Sequence, residues 1–159
     1  MILLGTETIA GYLDAASERL AESCRLLDHG HRGGAVYLCG YVAELVLKAS
    51  TFRLFGLGPA HPIEETFRKN VEWMMGKDSL KPRGQHDILR WAEWLVLSKP
   101  ALTGAAYPLA FGNDIKHNAG VIDSEWAPAL RYHHTSLPFT TALAVQASAR
   151  WLLVEQPTF

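Results

Sequence analysis

The sequence predicts an all-α protein: an up-and-down helical bundle of about five main helices, with residues 1–159 forming a single domain. Three observations carry that expectation. Apolar residues recur at steps of three or four over long stretches, no stretch sustains the period of two that a half-buried strand requires, and most glycines and prolines fall between the periodic segments. A chain of 159 residues is also long enough to bury about two-thirds of its unfolded surface in one core, and too short for two full-sized ones.

The first helix runs from Thr6 to about Asp28, with Ile9, Leu13, Ala16, Leu20, Cys24 and Leu27 on one face and mostly charged residues on the other. Glycines in "DHGHRGG" end it and reverse the chain, and a second helix follows from Ala35 to about Phe55. An antiparallel hairpin turning near His31 sets Cys24 opposite Cys39, as two small buried thiols or as a regulatory disulfide. After "GLGPAHP", Pro62 with Glu64 and Glu65 makes a helix start suited to the dipole; Ile63, Phe67, Val71 and Met74 form its stripe, and Gly76 ends it. A polar loop, residues 77–84, leads to a fourth helix from about His86 to Ser98, with Ile88, Trp91, Ala92 and Leu95 inward and Pro100 as its stop. Residues 101–125 hold three glycines and one proline and read as short turns with at most one helical piece. "WAPALRYHH" reads as a short helix. The last helix begins near Pro138 and carries Phe139, Leu143, Ala147, Trp151 and Val154 on one side to about Gln156.

Composition narrows the class. With 48% hydrophobic and 19% charged residues the chain is an ordinary globular one, and a formal net charge of −1 leaves no global field to attract nucleic acid or an acidic membrane. The opening "MILLGTETIA" lacks the basic start and long apolar core of a signal peptide, and no 18-residue uncharged apolar run is present, so no membrane span is expected. Two cysteines without C-x-x-C spacing fit a reducing cytoplasm.

Chemistry concentrates on the second helix. Tyr37, Tyr41, Glu44 and Lys48 are separated by four, three and four residues and form one stripe on a helix otherwise apolar around its circumference. Such a helix belongs in the middle of a bundle, where an unpaired carboxylate costs several kcal/mol, roughly, so Glu44 and Lys48 are expected to pair. Their stripe reads either as an internal brace or solvated groove, or as the lining of a subunit interface or binding cleft.

"GAVYLCGYVAELVLKA", residues 34–49, resembles the second helix of HEPN domains (higher eukaryotes and prokaryotes nucleotide-binding), with its Tyr-x-x-Glu-x-x-x-Lys signature. "HDILRWAEWL", from His86, resembles the His-Asp-Leu helix of the same family, and "WAPALRY", residues 126–132, its Trp-x-x-x-x-Arg-Tyr element. The resemblance implies a helical bundle, usually a homodimer, acting as a protein- or nucleotide-binding partner. The associated systems are nucleotidyltransferases, toxin–antitoxin pairs and defence. It points to Tyr37, Tyr41, Glu44, Lys48, His86 and Tyr132 as binding residues, with no cofactor and no metal.

Ribonuclease members of that family use Arg-x4–6-His, the arginine holding phosphorane charge and the histidine moving a proton. Arg131 matches by position, but the offsets that should hold histidine are Ser136, Leu137 and Pro138. His134 lies three residues on, and His117 in "GNDIKH" has Gly112 where arginine should stand. Arg25 and His31 meet the formal spacing at the hairpin end. The expectation is therefore a domain without an intact catalytic motif; the alternative is a metal-independent endoribonuclease toxin using Arg131 with His134 or His117.

Other signals are sparse. His29-x-His31 and His133-His134 lack further ligands at metal spacing, "GLG" at 56–58 is a helix terminator rather than a phosphate loop, and neither G-x-S-x-G nor an activated cysteine is present. The basic residues Arg68, Lys69, Lys77, Lys81, Arg83 and Arg90 form a solvated face or a phosphate-contacting one. Trp73 and Trp94 sit beside their helices' inward stripes, so one or both are expected at the surface or an interface.

Overall fold

The computed structural model describes residues 7–76, 86–128, 130 and 137–159. The described residues form α1 (Ile9–Asp28), α2 (Arg32–Leu54), α3 (Glu64–Met75), α4 (Ile88–Thr103), α5 (Leu109–Glu125) and α6 (Phe139–Glu155), closed by a 3₁₀ turn at Gln156–Thr158. The protein is an all-α helical bundle. At its centre is α2, which packs against each of the other helices and most extensively against α1.

The α1–α2 hairpin forms where it was expected. Thr8 caps α1, its Oγ1 accepting from the Gly11 N–H at 3.1 Å, and Gly30 takes the left-handed φ of 78° that reverses the chain. Across the hairpin the residue that meets Cys39 is Ser23, one position before Cys24; its Oγ lies 3.1 Å from the Cys39 sulfur and donates to the Ala35 carbonyl at 3.1 Å. One residue turns a helix by 100°, enough to aim Ser23 at α2 and leave Cys24 beside Arg150 of α6, at 3.5 Å. Both thiols are free, and burial pushes Cys39 up to about 11.

Helix α2 has no polar face to expose. Its Ser50 and Thr51 hydroxyls are buried by donating to the carbonyls of Val46 and Leu47, four residues back. By length and composition alone it could cross a membrane, but most of it is buried inside the bundle. Arg53, at its end, donates to the Gln156 carbonyl and side-chain oxygens at 2.5 and 2.6 Å, pinning the close of α6. The connection to α3 is tied to the start of α1 by an isolated bridge between Thr8 and Pro62 and by the Ile63 N–H to Glu7 carbonyl bond of 3.1 Å.

Three expectations are corrected. Helix α4 begins at Ile88, capped by Asp87, so His86 precedes it. It then passes through Pro100 to Thr103 and ends at Gly104, φ 76°. A proline in the last turn removes a single amide donor, and the turn survives through the Gly104 N–H to Pro100 carbonyl bond of 3.0 Å. Residues 109–125 are one continuous helix, α5, rather than short turns. Its glycines permit close packing: a Cβ on Gly112 would stand 3.4 Å from Val96 of α4, while Ile115, Ala119 and Ile122 supply the buried face.

The third correction concerns α6. Ala142, Val145, Gln146, Ser148, Ala149 and Leu152 are the residues turned inward, while Phe139, Leu143, Ala147 and Val154 of the expected stripe are exposed. A helix apolar on nearly every side carries no periodic signal to say which side is in, and small residues pack most closely. Of the two tryptophans Trp73 is exposed, as expected of one or both, and Trp94 is buried, donating its indole N–H to Asn70 at 2.7 Å. "WAPALRYHH" is described only as far as a turn in which the Leu130 N–H bonds the Ala127 carbonyl; its remainder lies outside the described residues.

Candidate functional site

The polar edge of α2 becomes a compact cluster. Glu44 and Lys48 stand one helical turn apart at 6% and 5% exposure, their Oε1 and Nζ 2.5 Å apart. Such burial excludes a solvated groove and makes the pair an internal brace. A third member arrives from outside the helix: His86 donates its Nδ1–H to both carboxylate oxygens of Glu44, at 2.9 and 3.1 Å. Carboxylate oxygens can only accept, so Nδ1 carries the proton in this arrangement and Nε2 is the ring atom left for an outside partner. The His86 side chain is 37% exposed, which makes it the rim of the cluster.

Aromatic rings wall the charges. The Lys48 ammonium lies 4.9 Å from the Phe67 ring centre and 5.4 Å from that of Trp91, positions in which ring quadrupoles replace part of its lost hydration. Tyr12 of α1 sits close enough for the Glu44 charge to act on it. Burial, then its hydrogen bond to Glu7, then the charges of Glu7 and Glu44 hold the phenol above its ordinary range. At the other end Tyr37 donates to Tyr41 at 3.1 Å. Trp126, which caps α5, donates its indole N–H to the Tyr37 carbonyl at 3.0 Å and packs edge-on against Tyr41 and His86. The indole lies directly on Gly40: a Cβ there would meet its Nε1 at 2.0 Å.

No family model, curated protein or solved structure matches this chain. Its chemistry is therefore read from the cluster itself. The structure brings Tyr37, Tyr41, Glu44, Lys48 and His86 together from two segments, and adds Trp126, Trp91 and Phe67, which the sequence reading did not assign to the site. A glycine within an apolar helix and a tryptophan at the head of "WAPALRY" were visible, but nothing in one sequence pairs two positions so far apart. Arg131, Tyr132 and His134 lie outside the described residues. His117 is exposed on α5.

The arrangement orients one imidazole with a carboxylate that a lysine already neutralises. It is suited to presenting Nε2 to a polar group, as a histidine held by a carboxylate does. Among the described residues no group of three or more histidine, cysteine or acidic side chains is placed to hold a metal. Of the basic residues, Arg68, Lys69 and Arg90 are each paired within their own helix, with Glu72, Glu65 and Glu93. Their charge is spent locally, as in a solvated face; Lys77, Lys81 and Arg83 lie outside the described residues.

Proposed function

We propose that this chain is a HEPN-like domain that serves as a binding partner for a protein or a nucleotide, without a catalytic centre of its own. The closure of the signature cluster carries this reading. Glu44 and Lys48 are spent on one another and on His86, in a site too buried for either to touch an RNA backbone. Their work is to hold α2 against the segment that enters α4, and the edge offered outward is His86 with Tyr37 and Tyr41. The partner class that the resemblance implies is a nucleotidyltransferase or the other half of a toxin–antitoxin pair, in the cytoplasm.

The experiment is incubation of the pure protein with RNA in the presence of a chelator. Intact RNA is the expected result. Fragments ending in a cyclic phosphate, abolished by Arg131→Ala, would replace this reading with the metal-independent ribonuclease built on Arg131 with His134 or His117.

A homodimer belongs to the same proposal, and the outward stripe of α6 supports it. Phe139, Leu143 and Val154 expose large apolar surface along one helix, beside a shallow groove lined by Leu143, Ala147, Arg150 and Trp151. Sedimentation velocity is expected to give a dimer that becomes a folded monomer in the Leu143→Glu, Val154→Glu variant. A monomeric parent chain would contradict it.

A further inference from the structure

The mouth of the α1–α2 hairpin holds a second concavity, formed by residues that the Glu44 cluster does not use. It is a cleft of 330 Å³ lined by Glu22, Arg25, Leu26, His29, His31 and Leu38. That volume falls at the lower end of small-molecule sites, which run from about 300 to 1,000 Å³.

The lining has one fixed cation and two imidazoles. The Arg25 guanidinium and the His31 ring make no hydrogen bond or ion pair with any described residue. His29 is committed at one nitrogen, Nδ1, which lies 2.7 Å from the Arg25 carbonyl oxygen. A carbonyl only accepts, so Nδ1 donates, and Nε2 has a hydrogen to offer the cleft only in the imidazolium form. The single acid, Glu22, is already paired with Arg19, which removes it as the natural partner of Arg25. The C-terminal end of α1 and the N-terminal end of α2 meet at this turn, and their opposed dipoles largely offset each other, leaving Arg25 to set the sign of the cleft. Leu26 and Leu38 add an apolar wall.

A guanidinium fork with imidazole nitrogens beside it suits a group with several acceptor oxygens spread in three dimensions, which a phosphoryl group has and a planar carboxylate lacks. The leucine wall adds a place for a carbon body. We propose that this cleft binds a small organic phosphate monoester, the phosphoryl oxygens on Arg25, His31 and, in its imidazolium form, His29, and the carbon skeleton on Leu26 and Leu38. The assignment is independent of the function proposed for the Glu44 cluster.

The test is a titration of the ¹⁵N-labelled full chain with phenyl phosphate, with inorganic phosphate and phenol as separate arms. Saturable shifts confined to the hairpin end, about Glu22 to Leu38, are expected, with phenyl phosphate binding more tightly than either fragment. Arg25→Gln is expected to weaken binding about tenfold, the size of one lost charge-assisted hydrogen bond, and His31→Ala to weaken it by less. Both side chains are exposed, so the fold is retained, which the same spectra verify. Lys99→Gln removes an equal charge far along α4 and is expected to leave binding unchanged. Absence of saturable shifts, equal weakening by Lys99→Gln and Arg25→Gln, or phenyl phosphate binding no better than phosphate or phenol alone would each overturn the assignment.

Discussion

Replacing Glu44 with alanine is expected to lower the stability of this protein by about 3–5 kcal/mol, the cost of stranding one member of a buried ion pair. Lys48 would keep its 5% exposure and its aromatic neighbours, and would lose the carboxylate 2.5 Å away. The faces of Phe67 and Trp91 help an ammonium whose charge is already balanced. They return about 1–2 kcal/mol, well short of the desolvation of an unpaired cation. In a domain of this size the loss corresponds to a fall in Tm of roughly 6–20 °C. Urea unfolding with an unchanged m-value is the check. The double replacement Glu44→Leu, Lys48→Met removes both charges and keeps the volume, so it is expected to lie within about 1 kcal/mol of the parent or above it. A single-variant loss below about 1 kcal/mol would mean that Lys48 reaches water, and the brace would not exist.

Gly40→Ala is expected to destabilise by about 2–3 kcal/mol, although alanine is the better helix former by about 1 kcal/mol. The reason is steric. The new methyl would stand 2.0–2.2 Å from three atoms of the buried Trp126 indole, so the ring must move. Moving it breaks the 3.0 Å bond to the Tyr37 carbonyl and opens the edge contacts with Tyr41 and His86. The Trp126 indole N–H resonance reports the outcome directly, and a chemical shift near that of an exposed indole is expected. A variant more stable than the parent, with that resonance unmoved, would show that the indole does not rest on α2.

An element was legible in the sequence where its local pattern had one reading. The amphipathic α1 and the stripe of α4 had one: charged residues marked the outer face, and Ile88, Trp91, Ala92 and Leu95 are all buried as read. The Glu44–Lys48 pair was legible too, because two charges on an otherwise apolar helix have few places to go. Helix α6 lacked such marks, so Phe139, Leu143 and Val154 were read as core when they face outward. Gly112 and Gly120 carried a breaker signal that tertiary packing overrode, since glycine also lets two helices approach. For the site, His86 and the α2 stripe were found by motif, whereas the seating of Trp126 on Gly40 and of Lys48 between Phe67 and Trp91 joins distant positions. Local periodicity holds no information on such pairings.

Helix α2 is the buried central rod of the bundle, and amide hydrogen exchange measures its burial. From Val36 to Phe52 the amides are expected to exchange only through global unfolding, more slowly than those of α3, the helix that packs least against α2. Exchange across α2 as fast as across α3 would contradict a buried central α2.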